Sequence, residues 1–499
     1  MNTLVLRDIR IPAALLSLLL SVWCIYIDPV INNDGFLYIT LADVVRDGSI
    51  KDAFTVYRWP FYSFMIAGLG HITGIDHETS AYLINILLAV VIVVSFISIT
   101  AVLGGDRRAL WVAALVILFF PGLNKYRSFV IRDFGYLAFY MLGLLVFFKH
   151  IVKPQWYWPA IWTALLATAA TFRIEAIAVL VCLPFVSAYV LAKPGRQRTR
   201  VVLSIIVVLA VLFMLGAWWF AGNASGTDSF AGLFNTFIAH IRQNYDIRLH
   251  TMRQLLTSMS DNYAMLALIA AGSVIFIAEV VKRITLLYTL MAVYGWVRGF
   301  LFAPERAQRA WLGLIIVQLV ILSGTMLLQF FLTGRFPLAL SLTVLLIAPF
   351  VWVNMYDEWR DRNSLGGSSR WLFPTALVFA IILGIQGLTG FTGKTHLKEG
   401  GLWLQQQLKD EQTLLSNERA VMYYAKQDTY RRSDIYQWQT IDRMLANRQW
   451  QQYDYIALRF KRRHADHKQQ VIQRIGSAPI KTFQGKRGDV LLVFRVRQS

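Results

Sequence analysis

The chain of 499 residues has 56% hydrophobic residues, a mean hydropathy of +0.49 and a formal net charge of +20 at pH 7. This composition excludes an ordinary water-soluble protein, whose cores need fewer apolar residues. It indicates a chain for which a lipid bilayer is the main solvent.

Apolar runs able to cross a hydrocarbon core of about 30 Å recur over residues 1–390. The first run has no small-residue cleavage site and is followed by many more, so we interpret it as a retained helix rather than a signal peptide. The predicted spans are 11–27, 82–104, 109–122, 135–149, 157–171, 175–192, 201–222, 263–281, 284–302, 310–332, 337–355 and 371–389. The fold class predicted from them is an all-α polytopic membrane domain of about 11–13 transmembrane helices.

The orientation follows from basic residues in short connections. They occupy every second connection: Arg107, Arg108, Lys149, Lys153, Lys193, Arg196, Arg198 and Arg200. The positive-inside rule places these connections in the cytoplasm. The segments predicted to lie outside are 28–81, 124–133, 173–175 and 223–262. Twelve complete crossings would return the C-terminus to the cytoplasm, so an external C-terminus requires that 263–281 or 284–302 crosses incompletely, or that a span was missed.

Residues 391–499 are polar, and the sequence predicts a small extracytoplasmic α/β domain there. KTHLKEGGLWLQQQLKDEQ is typical of a helix, whereas YDYIALRF and GDVLLVFRV have the alternation and β-branched content of strands. The segment has 20 basic and 10 acidic residues, a net charge of +10. This charge suits anionic lipid headgroups or an anionic polysaccharide, whereas no basic motif with interleaved aromatic residues favours nucleic acid.

The first outer segment contains the first candidate for catalysis. Asp34 lies just beyond the first span, with Tyr38 one helical turn later, and the segment 28–81 has the pattern of helices on a membrane surface. A carboxylate there is placed to act as a general base for an acceptor hydroxyl. The alternative is that Asp34 caps a helix starting at Gly35. Tyr38 is predicted to orient the substrate.

Basic residues in the two outer segments are candidates for binding a lipid phosphate. Arg58 lies among aromatic residues, and Arg127 and Arg132 lie in the second outer segment, followed by Asp133. Guanidinium groups bind phosphate oxygens bidentately. The alternatives are an interfacial anchor for Arg58 and local salt bridges in the second segment. Asp133 is predicted to be a second catalytic carboxylate.

Three more charges lie nearly at membrane depth, where charge is costly unless it is paired or functional. Arg173 and Glu175 separate two spans with almost no connection, and Arg335 lies in TGRFPLAL between two others. We predict that Arg173 and Glu175 orient the substrate, although they are equally able to neutralise each other. Arg335 has no acidic neighbour in the sequence and is the better phosphate ligand. No cofactor is certain, but a divalent cation, Mg²⁺ or Mn²⁺, between Asp34 and Asp133 fits their oxygen chemistry.

These residues together resemble the GT-C class of membrane glycosyltransferases, especially bacterial relatives of protein O-mannosyltransferases and of the lipid A aminoarabinose transferase. NNDGFLYITLADVVRDG and YRWPFYSFMIAGL resemble the first periplasmic loop of the family, in which Asp34 matches the acidic catalytic position. KYRSFVIRDFGYLAFYML resembles the second acidic loop and places Asp133 there, and GRFPLALSLTVLLIAP resembles a late span. LLSNERAVMYYAKQ and YDYIALRF resemble the extracytoplasmic tail. Asn33 and Gly35 flank Asp34, in place of the Asp-Glu pair common in protein mannosyltransferases.

The resemblance implies a transferase of the bacterial inner membrane whose active site faces the periplasm. It would move a sugar, hexosyl or pentosyl, from a polyprenyl-phosphate carrier such as undecaprenyl phosphate to a hydroxyl of an envelope glycan, lipid or protein. One alternative is an oligosaccharide ligase or polymerase that uses a diphosphate-linked donor. The other is a transporter or flippase of lipid-linked sugars, for which internal repeats and broken mid-membrane helices would be expected.

Overall fold

A computed structural model describes most of the chain. The described residues are 8–47, 50–57, 59–193, 195, 199, 230–256, 261–330, 332, 334–361, 371–389, 393–409, 412–427, 437–462 and 465–496.

All regular structure in the described residues before 390 is helical. Its helices are α1 (Arg10–Ile27), α2 (Asn33–Arg46), α3 (Ile50–Val56), α4 (Phe61–Thr73), α5 (His77–Val102), α6 (Arg107–Leu118), α7 (Pro121–Asn124), α8 (Asp133–Val152), α9 (Trp158–Phe172), α10 (Glu175–Leu191), α11 (Phe230–Leu255), α12 (Ala264–Ile284), α13 (Leu286–Arg298), α14 (Glu305–Gln329), α15 (Leu338–Leu345), α16 (Ala348–Arg360) and α17 (Leu372–Thr389). A short 3₁₀ helix, Asp261–Tyr263, precedes α12.

Eight helical segments in the described part of the chain are long and apolar enough to cross a membrane. They are Arg10–Ile27, His77–Val102, Arg107–Asn124, Asp133–Val152, Ala264–Ile284, Glu305–Gln329, Leu338–Arg360 and Leu372–Thr389. The chain is thus a multi-pass membrane protein, as its composition predicts. The predicted spans 157–171 and 175–192 correspond to the shorter apolar helices α9 and α10, and 284–302 corresponds to α13. The predicted span 201–222 lies outside the described residues.

Helix α13, which has only 13 residues, packs along α15 and α16. At one end, Gly334 lies so close to Arg283 of α12 that a Cβ there would come within 2.3 Å of the guanidinium carbon. At the other end, Arg298 forms an ion pair with Glu358 near the end of α16. Helix α13 is shorter than the predicted span 284–302. The expectation that this pair crosses incompletely, or that a span was missed, therefore stays a prediction, as does the external C-terminus.

Three helices, α2 to α4, connect α1 to α5, as predicted for residues 28–81. Helix α2 packs on α4 through an edge-on contact of Tyr38 with Tyr62, whose ring centroids lie 5.2 Å apart. Helix α3 packs on α4 in the same way, with Phe54 and Phe64 at 5.6 Å. These aromatic pairs fix α2 relative to its neighbours.

The tail is a small α/β domain, as predicted from its pattern. Its elements are α18 (Thr395–Gln407), β1 (Leu414–Ser416), α19 (Arg419–Tyr424), α20 (Trp438–Ala446), the 3₁₀ helix Gln449–Gln452, β2 (Tyr455–Phe460), α21 (Ala465–Ile475), β3 (Lys481–Gln484) and β4 (Val490–Arg495). The strand order is β1-β2-β4-β3. Strands β1 and β2 are parallel, whereas β2 with β4 and β3 with β4 are antiparallel. Leu415, Ile456 and Phe494 are fully buried in the core that α20 and α21 cover.

The chain forms two compact units. The loop–tail unit comprises Ile11–Val91, Leu118–Gly135 and Leu383–Ser499. The bundle unit comprises the residues up to Arg10, Ile92–Ile117 and Tyr136–Ile382. We predicted a boundary at residue 390 between a membrane domain and a soluble domain. By its contacts, the tail groups with the first outer segment, 28–81.

Candidate active site

Asp34 lies in the first turn of α2, inside the helix rather than at its cap. The helix begins at Asn33, and Asn32 occupies the capping position with an extended backbone. The alternative that Asp34 caps a helix starting at Gly35 is therefore wrong. A carboxylate in the first turn interacts favourably with the helix dipole. The Asp34 side chain is partly exposed, so its charge remains accessible.

The connection 125–132, which follows α7, is held against α2 by two side-chain amides. Asn32 Oδ1 accepts a hydrogen bond from the backbone nitrogen of Val130 at 2.8 Å. Asn85 of α5 donates through Nδ2 to the carbonyl oxygen of Phe129 at 2.8 Å. Gly35 permits this approach, because a Cβ at this position would lie 2.9 Å from Val130 Cβ. The glycine beside Asp34 therefore allows α2 and the connection to pack closely.

The hydroxyl of Tyr38 lies among the charges of both predicted acidic positions. Tyr38 is 4% exposed, and this burial raises its pKa far above the ordinary value of a tyrosine. The positive charge of Arg132 lowers the pKa of Tyr38, and the negative charges of Asp133 and Asp34 raise it. The charges of Asp34, Arg132 and Asp133 are thus all near enough to act on Tyr38, which is protonated at neutral pH. We name these four residues the Tyr38 centre.

Arg132 and Asp133 enter this centre from the start of α8. The Arg132 guanidinium carbon lies 5.4 Å from the centre of the Tyr57 ring, a cation–π arrangement that positions the side chain while leaving it partly exposed. Asp133 is the first residue of α8 and is 4% exposed. A carboxylate in that position is stabilised by the dipole of a membrane-spanning helix.

Arg127 is buried elsewhere in the loop–tail unit and binds other protein groups. It is 2% exposed and donates to Asn124 Oδ1 at 2.7 Å and to Ser21 Oγ at 2.7 Å. It also donates to the carbonyl oxygen and the hydroxyl of Ser17, each at 3.1 Å. Burial lowers the pKa of Arg127 to about 10, so the guanidinium stays charged at neutral pH. These bonds tie the connection to α1, which is a structural role.

Arg173 and Glu175 lie in the bundle unit and form an ion pair with each other. Arg173 Nε donates to Glu175 Oε2 at 3.1 Å, and a second bond joins Nη2 to Oε1. Arg173 also lies against two aromatic rings, with its guanidinium carbon 4.5 Å from the centre of the Phe336 ring and 5.9 Å from that of Tyr136. Arg173 and Glu175 therefore neutralise each other, which was one of the two alternatives that the sequence allowed.

Arg335 lies in the same unit, on the turn 334–337 before α15, and its side chain is half-buried. Two more arginines border this turn, because Arg173 contacts Phe336 and Arg283 packs on Gly334. Sequence analysis did not identify Arg283. A basic residue at the end of a predicted span is common and does not by itself indicate a functional site. Arg283 is partly compensated by Glu279, at 3.3 Å. We call Arg173, Arg283 and Arg335 the arginine turn.

Two predicted features remain, Arg58 and the divalent cation. Arg58 lies outside the described residues. Within the described part of the chain, no group of three or more His, Cys, Asp or Glu residues is arranged to hold a metal ion. Asp34 and Asp133 supply two carboxylates, and Mg²⁺ is usually bound by one or two carboxylates together with water and substrate phosphate, so the divalent cation stays a prediction.

The tail domain docks on α2, the helix that carries Asp34. The backbone nitrogen of Ile31 donates to the Tyr424 hydroxyl at 3.3 Å. Lys398 of α18 donates to the carbonyl oxygen of Pro29 at 3.2 Å and pairs with Glu78 at 3.5 Å. The Phe36 ring packs on Tyr423, with centroids 4.8 Å apart. The tail and Asp34 therefore lie on the same side of the membrane.

A cleft of about 580 Å³ opens beside α2 in the same unit. Its lining includes the carboxylates of Asp43, Asp76 and Glu78 and the ring of Tyr423. His77 also lines it and bonds through Nδ1 to Asp43 Oδ1 at 2.8 Å. Nine residues of one helix separate Asp34 from Asp43, a distance of about 13 Å. The cleft thus lies about two and a half helical turns along α2 from the Tyr38 centre.

Comparisons with known proteins found similar solved structures, among them two membrane enzymes. One is the oligosaccharyltransferase of Archaeoglobus fulgidus tethered with an acceptor peptide, with 13% identity, a TM-score of 0.48, and coverage of 84% of this chain and 63% of that one. The other is the arabinofuranosyltransferase AftD from Mycobacteria, with 14% identity and a TM-score of 0.42. The match covers 98% of this chain and 41% of AftD. This chain thus spans less than two thirds of either length.

Both are glycosyltransferases by name, which is the class that the sequence resembles. Since both TM-scores are below 0.5, neither likeness carries an argument about the activity of this chain. No protein-family model matches the chain, and no curated protein matches it.

Proposed function

We propose that this protein is a membrane glycosyltransferase that moves a sugar from a polyprenyl-phosphate carrier to an acceptor hydroxyl at the outer face of the bacterial inner membrane. One observation carries the proposal: the charges of Asp34 in α2 and of Arg132 and Asp133 at the start of α8 all act on the buried Tyr38. A carboxylate base and a guanidinium at the mouth of a membrane helix are what sugar transfer from a lipid phosphate requires.

Asp34 is the general base in this mechanism. It accepts the proton of the acceptor hydroxyl while that oxygen forms a bond to the anomeric carbon and the bond from this carbon to the carrier phosphate breaks. The phosphate leaves with the electron pair, and an in-line displacement inverts the anomeric centre. Asp133 orients the sugar, and the protonated Tyr38 hydroxyl donates a hydrogen bond within the centre.

Stabilisation of the leaving phosphate is the larger contribution to the rate. Arg132 serves this role, because its guanidinium is partly exposed and held by Tyr57. Arg127 is not proposed as a phosphate ligand, since it is buried and its Nε and Nη1 already bind Asn124, Ser17 and Ser21. Arg58 keeps its predicted role, and Arg335 at the arginine turn is a second candidate for the lipid phosphate.

The cleft beside α2 is the proposed site for the acceptor. Its carboxylates accept hydrogen bonds from hydroxyl groups, and the Tyr423 ring offers an apolar face. An acceptor that fills the cleft and reaches Asp34 extends over about 13 Å along α2. This length favours an envelope glycan or other extended acceptor over a small alcohol.

Purified protein in nanodiscs, incubated with synthetic polyprenyl-phosphate sugars and a glycan acceptor, tests the proposal. We expect transfer with inversion from at least one monophosphate-linked donor. Transfer only from diphosphate-linked donors would favour the ligase or polymerase. Movement of intact lipid-linked sugar across vesicles, with no new glycosidic bond, would indicate a transporter and contradict the proposal.

A further inference from the structure

A second cleft lies within the bundle unit, at the opposite end of α10 from the Arg173–Glu175 pair. Its volume is about 460 Å³, within the usual range for a small-ligand site. The ends of α8 and α10 and the start of α14 line it, and its charged residues are Lys193, Glu305, Arg306 and Arg309. Because α10 has 17 residues, about 25 Å separates this cleft from the Arg173–Glu175 pair.

The lining of this cleft combines positive charge with apolar surface. Lys193, Arg306 and Arg309 contribute three cations, against the single carboxylate of Glu305 among the lining residues. Arg309 pairs with Glu305 at 3.0 Å, and its buried Nε has no hydrogen-bond partner among the described residues. The cleft therefore keeps excess positive charge and one unsatisfied donor, which suits a phosphate group.

The helices that form the cleft also offer a path for hydrocarbon chains. Val186 of α10 and Gly313 of α14 pack closely, so the two helices adjoin beyond the cleft. Along them, Tyr189, Val181, Ile316 and Val320 are exposed by 40–66%. Such apolar surface on membrane-spanning helices is covered by lipid. Free phosphate needs none of it, whereas a phospholipid uses both the charge and the apolar surface.

We propose that this cleft binds the headgroup of an anionic phospholipid, with its acyl chains along the exposed faces of α10 and α14. Basic pockets between membrane helices on the cytoplasmic side recognise anionic headgroups in this way. The positive-inside rule places Lys193 on that side. Bound lipid then bridges the ends of three helices at the face opposite to the Arg173–Glu175 pair, independently of sugar transfer.

Native mass spectrometry of the purified full-length protein tests the proposal, using phosphatidylglycerol and phosphatidylcholine with identical acyl chains. We expect one phosphatidylglycerol to bind at least tenfold more tightly than phosphatidylcholine. The double variant Lys193→Gln/Arg306→Gln should lose this preference. The control Lys153→Gln/Arg107→Gln removes the same charges from exposed residues that do not line the cleft, and should keep the preference.

A variant that is expected to bind the lipid more tightly distinguishes a specific effect on the cleft from misfolding. Glu305→Gln removes the one carboxylate among the lining residues and should tighten the binding of phosphatidylglycerol severalfold. Equal binding of the two lipids, equal loss in both double variants, or no gain with Glu305→Gln would overturn the proposal. So would displacement of the lipid by millimolar inorganic phosphate, which would indicate a simple anion site.

Discussion

The side-chain oxygen of Asn32 accepts a hydrogen bond from the backbone nitrogen of Val130, 98 residues later in the chain, at 2.8 Å. Through this bond the helix that carries Asp34 is fixed to the connection that ends in Arg132 and Asp133. The Tyr38 centre depends on this register, because its two halves come from separate parts of the sequence.

Replacing Asn32 tests whether this bond sets the activity. Asn32→Ala leaves the Val130 amide without its acceptor, which costs about 1–3 kcal/mol, and we expect transfer to fall at least tenfold. Asn32→Asp keeps an acceptor oxygen at a position where aspartate is also a favoured helix cap, so it should retain most of the activity. Initial rates of the purified variants measure the difference. Equal losses in both variants would contradict a role of this bond.

Substitutions of the two arginines in the second outer segment should have different effects. We expect Arg132→Gln to reduce transfer by about 10²–10³-fold, as for the loss of one group that stabilises developing charge, with unchanged thermal unfolding. Arg127→Gln should instead lower the unfolding temperature, because it removes bonds of a buried charge to Ser17 and Ser21. Rates and unfolding curves for both variants decide this. A stable Arg127→Gln protein with lost activity would reverse the assignment.

The docked tail should support activity through α2. The double variant Lys398→Gln/Tyr424→Phe removes the polar contacts with Pro29, Ile31 and Glu78. We expect severalfold slower transfer and faster proteolysis of the tail, with normal membrane insertion. Lys409→Gln, at an exposed tail lysine, is the control and should behave as wild type. Unchanged activity in the double variant would show that docking is dispensable.

The tail should lose stability on mild acidification because of His396. Burial lowers the pKa of His396 below its ordinary 6.5, and the charge of Arg459 lowers it further, while Asp489 and Glu418 oppose the shift. Near and below pH 6.5 the unfolded tail therefore binds a proton that the folded tail does not, which favours unfolding. The contribution of neutral His396 to the free energy of unfolding is fully present above this range, and it is lost as the pH falls through the range.

Limited proteolysis of the tail in the intact protein at pH 7.5 and pH 5.5 measures this effect. Comparing wild type with His396→Gln at each pH cancels the pH dependence of the protease. We expect the extra susceptibility at pH 5.5 to disappear in His396→Gln and to persist in His467→Gln. If both variants keep it, His396 is not the cause.

Most of the fold was predictable, because apolar runs and strand alternation are local signals. The tail helix and the two longer strands appear where the pattern placed them, at Thr395–Gln407, Tyr455–Phe460 and Val490–Arg495. The predicted span 284–302 shows the limit, since the helix there, α13, has only 13 residues and ends at the left-handed Gly299. The apolar run continues past that glycine, so hydropathy alone overestimated the length of the helix.

The site was less predictable, because identical residue types in one segment have different partners. Arg127 and Arg132 are five positions apart, yet one binds two serines of α1 and the other lies over Tyr57. Ser17 and Ser21, one helical turn apart in an apolar span, were the signal for a buried partner. The contact of Arg283 with Gly334 is long-range and left no sequence pattern.

The most direct test of the account is the rate of sugar transfer by Asp34→Asn, measured with purified protein, a defined polyprenyl-phosphate sugar and a glycan acceptor. Loss of a general base predicts a fall of about 10²–10⁴-fold, with membrane insertion and thermal unfolding unchanged. Asp47→Asn, at an exposed carboxylate just after the same helix, should keep full activity. Transfer by Asp34→Asn at the wild-type rate would contradict the proposed mechanism.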